Sequence, residues 1–117
     1  MEVEVNIEPK SDYYGNPYIK PAIRIEGEYF SGLSYEAENF IAKFLKKYGK
    51  LKDFEISGMF LFEVDKKYGK FLKNLLKVYG GLKRKIYAEL LETMEKGNEE
   101  FKKLMDKMME EMLVNLI

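Results

Sequence analysis

The sequence contains no cysteine, no histidine and no tryptophan. The first two absences exclude disulfides, thiolate and imidazole metal sites, and histidine acid–base catalysis. No apolar run reaches the roughly 20 residues that a membrane span needs, and the opening MEVEVNIEPK has neither the basic region nor the apolar stretch of a signal peptide. A cytoplasmic protein with no cofactor is expected. At 117 residues the chain is long enough to bury a core without staples, and one domain over residues 1–117 is the default.

What is present is charge, balanced in total and uneven along the chain. Residues 1–40 carry three cations against eight acids, residues 41–91 thirteen against five, and residues 92–117 four against seven. Abundant Lys and Glu with little Gln or Thr is the composition of hyperthermophile proteins, in which ion-pair networks gain value with temperature, and points to a thermophilic archaeal or viral source.

Val3, Val5 and Ile7 alternate with polar neighbours as in a strand with one wet face, which Pro9 is expected to stop. Residues 11–17 (SDYYGNP) read as a turn, residues 18–26 as a second strand with Pro21 at an edge or bulge, and residues 28–30 as a short third strand after Gly27. Ser34 is the expected N-cap of a helix to Tyr48, with Phe40, Ile41, Phe44, Leu45 and Tyr48 buried and Gly49 in the C′ position. From residue 54 to 64 the even positions Phe54, Ile56, Phe60, Phe62 and Val64 are apolar, which predicts one long strand. Residues 66–96 read as a long or kinked helix: Leu82, Ile86 and Leu90 stay in phase with Leu72, Leu75 and Tyr79, while Gly80 and Gly81 invite a break. Residues 98–117 form a terminal helix. The predicted fold is α+β, a mainly antiparallel N-terminal sheet with one inserted helix, packed against a helical C-terminal half.

Between residues 66 and 85 stand Lys66, Lys67, Lys70, Lys73, Lys77, Lys83, Arg84 and Lys85 with no acid among them. At 100° per residue Lys66, Lys70, Lys73 and Lys77 fall within about 60° of one another, opposite Phe71, Leu72 and Leu75. A helix that only had to be soluble would mix signs to gain i,i+4 pairs, so this face is read as a phosphate-tracking surface. The bland alternative is a solvated outer face, and a basic helix lying on an anionic membrane ranks below both. Tyr13, Tyr14 and Tyr18, on a Gly-Asn-Pro loop that is hard to bury, are the candidate stacking platform for bases. Phe54, Phe60 and Phe62 are assigned to the core.

Phe101, Leu104, Met105, Met108, Met112 and Leu116 make a stripe spaced by threes and fours, close to a coiled-coil seam, and predict a homodimer or larger oligomer. An enzyme is not expected. Asp65-Lys66-Lys67 matches the D-x-K half of a metal-dependent nuclease site, with Asp53 as a possible second carboxylate, but one continuous strand would hold the two acids about 40 Å apart at ~3.3 Å per residue.

The aromatic-bearing sheet, the Lys-rich helix and the zipper-like Phe101, Met105, Met108 and Met112 resemble the ThermoDBP-type single-stranded DNA-binding proteins of hyperthermophilic archaea. The resemblance lies in architecture and composition over most of the chain and carries no residue assignment. It implies a sheet-and-helix cleft for single strands and dimers assembled by the terminal helix. The expected function is homo-oligomeric, sequence-tolerant binding of single-stranded DNA or RNA, with the eight cations on phosphates and the three tyrosines on bases. The competing expectation is a protein-interaction or structural oligomerisation module that binds no nucleic acid.

Overall fold

The computed structural model describes the backbone of residues 1–116 and side chains through Val114. Five strands, β1 (Glu2–Ser11), β2 (Pro17–Ile25), β3 (Glu28–Phe30), β4 (Gly49–Glu55) and β5 (Met59–Val64), form one sheet in the order β3-β2-β1-β5-β4, every neighbour antiparallel. Helix α1 (Tyr35–Tyr48) is inserted between β3 and β4, and α2 (Lys66–Tyr79), α3 (Arg84–Lys96) and α4 (Asn98–Leu116) follow. The chain is therefore an α+β fold, an antiparallel sheet interrupted by a helix and packed against a C-terminal helical bundle.

Alternation sets the two faces of the sheet. Val3 faces Ile25 and Phe62 across β1, and Val5 faces Ile23 and Phe60, so these apolar residues share the side that meets the helices. Glu2, Glu4 and Asn6 fall on the other side. The core is aromatic: Phe40, Phe44, Phe71 and Phe101 are fully buried, with ring centroids 5.5 to 6.3 Å apart. In the bundle α1 packs on α3, α3 on α4, and α4 on α2.

Pro9 does not stop β1. The strand pairs with β5 only as far as Asn6, so Pro9, opposite Ile19, has a neighbour strand on one side only. Pro21 lies the same way, because β3 covers β2 only from Ile23 to Ile25. A proline costs no ladder bond on an open edge, and β1 and β2 run on as a two-stranded arm beyond the sheet.

Residues 54–64 are not one strand. Ile56, Ser57 and Gly58 turn the chain, and Phe54 lies opposite Phe60. A three-residue connection sets even positions against even positions, so the alternation that predicted a continuous strand is equally that of a hairpin. Gly58 makes the turn possible: its φ is +109°, its carbonyl accepts from Ile7 N at 2.8 Å, and a Cβ there would come within 3.2 Å of Ile7 O. The 40 Å separation of Asp53 and Asp65 falls with the continuous strand. Asp53 stands opposite Leu61, four residues before Asp65, or about 13 Å along the strand.

Ser34 caps α1 as expected, its Oγ accepting from Ala37 N at 3.2 Å. Gly49 is not a left-handed C′ residue; its backbone is extended (φ −106°, ψ 160°) and opens β4 directly. The helix predicted over 66–96 is two helices. Gly80 adopts φ +66°, and Leu82, placed on the apolar face by phase, lies in the connection and is 73% exposed. Tyr87, at 0% exposure, donates its hydroxyl proton to Gly80 O and locks the junction. Burial raises the Tyr87 phenol well above its ordinary range. Gly81 O accepts from Ser34 N at 2.5 Å, and a Cβ on Gly81 would meet Leu33 Cδ2 at 2.8 Å and Leu33 Cα at 3.0 Å. Gly81→Ala is therefore expected to destabilise the fold by about 1–3 kcal/mol in urea titration, as overpacking does.

Phe101, Met105 and Met112 are 0% exposed and Met108 is 8% exposed, all within the core of a single chain, and Leu104 is half-buried against it. The stripe read as an oligomer seam is covered by α4's own neighbours. The side chain of Leu116 lies outside the described residues. No described helix is long and apolar enough to cross a membrane.

Candidate nucleic-acid interface

The basic stretch lacks acids of its own and borrows them from elsewhere. Lys73 Nζ lies 3.1 Å from Glu26 and 3.7 Å from Glu28, and Lys77 Nζ lies 3.2 Å from Glu28; Glu26 belongs to the β2–β3 turn and Glu28 opens β3. Lys67 pairs with Asp106 on α4 at 3.0 Å, and Arg84 with Glu36 on α1 at 3.7 Å. Lys66, Lys70, Lys83 and Lys85 have no ion pair among the described residues. The first two stand on α2 and the last two beyond the Gly80 break, so eight cations in sequence do not make one face in space.

Tyr13 and Tyr14 are 96% and 86% exposed at the tip of the β1–β2 arm, their rings edge to face at 5.4 Å, and Tyr18 is partly exposed on the arm opposite Lys10. Asp12 builds the tip: its carboxylate accepts from Tyr14 N at 2.9 Å, Asn16 N at 2.8 Å and Asn16 Nδ2 at 3.1 Å. These bonds, led by the Asn16 amide, hold the Asp12 carboxyl below the usual carboxylate range. A depressed pKa means that the carboxylate's contribution to the turn is present above the unfolded value and lost as pH falls through the folded one. An NMR titration is expected to show the Asn16 amide shift following an Asp12 midpoint below that of an unstructured aspartate.

The arm and the basic helix occupy opposite ends of the sheet. Glu26, which holds Lys73, follows Ile25 at one end of β2, and the tyrosine turn precedes Pro17 at the other, eight residue steps or about 26 Å away. The tyrosines and the basic stripe therefore do not line a common surface.

What the structure brings together is different. Between the sheet and α1 lies an apolar cleft of about 350 Å³. Val5, Pro21, Phe60 and Phe62 line it from the sheet, and Ile41, Ala42 and Leu45 from α1. Its one carboxylate, Glu38, is tied to Lys20 at the lip. The apolar surface continues outside: Phe54, opposite Phe60, is 60% exposed, Ile56 is fully exposed, and Ile19 stands uncovered on the arm. Lys46, one helical turn after Ala42, has no ion pair among the described residues. With one paired carboxylate in an otherwise apolar lining, this geometry suits burial of flat apolar groups.

Of the three phenylalanines that the sequence assigns to the core, Phe62 packs against it, Phe60 is half-buried and Phe54 is exposed. The missed signal for Phe54 was the edge: β4 is the last strand of the sheet. A second cavity, about 480 Å³, has Lys66 at its rim, but Glu2, Glu4 and Glu26 outnumber Lys66 and Arg24 there, which disfavours a polyanion. No family model, curated protein or solved structure matches the chain.

Proposed function

We propose that the chain binds single-stranded nucleic acid with little sequence preference, taking bases into the cleft between the sheet and α1. The observation that carries this reading is the uncovered aromatic side of the β4–β5 hairpin, Phe54 and Phe60, beside an apolar cleft with Lys20 and Lys46 near its lips. Stacking accepts any base, and unstacked bases are offered by single strands only. The resemblance to ThermoDBP-type proteins read from the sequence implies a sheet-and-helix cleft and points the same way. Compared with a site on α2, the bases rather than the phosphates dominate the contact.

Fluorescence anisotropy with a labelled oligothymidine and the matching duplex tests this. Binding of the single strand, with the duplex weaker by tenfold or more, is expected. Equal affinity for both forms would contradict base burial. Absence of binding to either at low salt would favour the second reading, a protein-interaction module, which is supported by the ion pairs that occupy Lys67, Lys73, Lys77 and Arg84 within the chain.

A further inference from the structure

β4 is an edge strand, and from Lys50 to Glu55 every residue of it is exposed, including Leu51 and Phe54 on the side facing the helices. An edge of this kind offers a row of unpaired N–H and C=O groups to another strand, and edge lysines normally guard against that. Here the guard has a complement written into the same strand. Lys50-Leu51-Lys52-Asp53-Phe54-Glu55, laid antiparallel against itself, sets Lys50 against Glu55, Leu51 against Phe54, and Lys52 against Asp53.

Facing side chains in an antiparallel pair must lie on the same side of the sheet. In a regular strand residues 51 and 54 would lie on opposite sides. The irregularity in β4 removes that obstacle: Leu51 stands opposite Phe62 and Asp53 opposite Leu61, so Lys52 is an extra residue. Leu51 and Phe54 consequently share the side of Phe62 and Phe60, and Lys50 and Glu55 share the other, opposite Glu63 and Met59. A slip of one residue in either direction would place Lys52 on Lys52 or Asp53 on Asp53, and a slip of two would set Leu51 against Lys52 or Asp53 against Phe54, which lie on opposite sides of the sheet, so charge and facing together select this register.

We propose that two copies of this chain pair antiparallel through β4 about a twofold axis at the Lys52–Asp53 step, joining their sheets. Lys52 then exchanges or shares its exposed partner Glu2, now 2.8 Å away, with Asp53 of the second copy. The pairing sets Leu51 of each copy beside Phe54 of the other along the joined edge. It does not rest on the nucleic-acid reading, since it concerns the edge of β4 and is tested without a ligand.

Light scattering on the full chain at about 100 µM is expected to give twice the 13.8 kDa chain mass. Lys50→Glu/Lys52→Glu makes the strand all acidic, and Asp53→Lys/Glu55→Lys makes it all basic. Each variant alone should be monomeric with an unchanged circular dichroism spectrum, and an equimolar mixture should return to the dimer mass. A monomeric wild type would overturn the proposal, as would dimers of either variant alone or a mixture of folded variants that stays monomeric.

Discussion

Replacing Phe101 with alanine is expected to lower the unfolding free energy by about 3–5 kcal/mol, the cost of emptying a fully buried aromatic site. Against a total of about 5–15 kcal/mol for a domain of this size, that removes a large part of the stability. The ring sits 6.2 Å from Phe44, 6.3 Å from Phe71 and 5.8 Å from Tyr48, so α1, α2 and α4 all lose a contact at once. Because these neighbours belong to the same chain, the loss should not depend on protein concentration. Guanidinium titrations at 2 and 200 µM with coincident midpoint shifts would agree with a core position. A midpoint shift that vanishes on dilution would instead return Phe101 to an interface between copies.

Phe54→Ala is expected to weaken single-strand binding by about 5- to 150-fold, the range for losing one stacked base at about 1–3 kcal/mol, while leaving the thermal midpoint nearly unchanged. The separation of the two effects follows from exposure: a side chain 60% exposed contributes little to folding. Phe60, half-buried opposite it, should lose both affinity and stability on truncation. Anisotropy and calorimetry on the same two variants distinguish stacking from general loosening of the hairpin. Unaltered affinity in Phe54→Ala would remove the hairpin from the site.

Local patterns carried much of this architecture in the sequence. Ser34 with the Phe40, Ile41, Phe44 and Leu45 stripe defined α1, and Val3, Val5 and Ile7 defined the inner face of β1, because caps and periodicity are short-range signals. The β4–β5 hairpin was hidden for a definite reason: an odd-length connection preserves parity, so Phe54, Phe60 and Phe62 alternate identically whether or not the chain turns. Hiding the hairpin hid the edge strand, and with it the exposed aromatics. The Lys66–Lys85 stretch misled in another way. Its acids lie 39 to 49 residues away at Glu26, Glu28, Asp106 and Glu36, and no short window along the sequence contains both partners. The α4 stripe shows the same limit, since a spacing of threes and fours describes a helix face to be covered and not what covers it.

The salt dependence of oligothymidine binding, followed by anisotropy between about 50 and 300 mM salt, tests the cleft site most directly. A single strand releases counterions with a slope of about −0.7 in log K against log salt for each phosphate neutralised. With Lys20 and Lys46 as the cations at the lips, and Lys20 already paired with Glu38, the expected slope is about −1.4 or shallower, and affinity should survive moderate salt through base burial. A slope of about −5 or steeper would mean that the lysines and arginine between residues 66 and 85 act together on the phosphate backbone, and would contradict the cleft as the binding site.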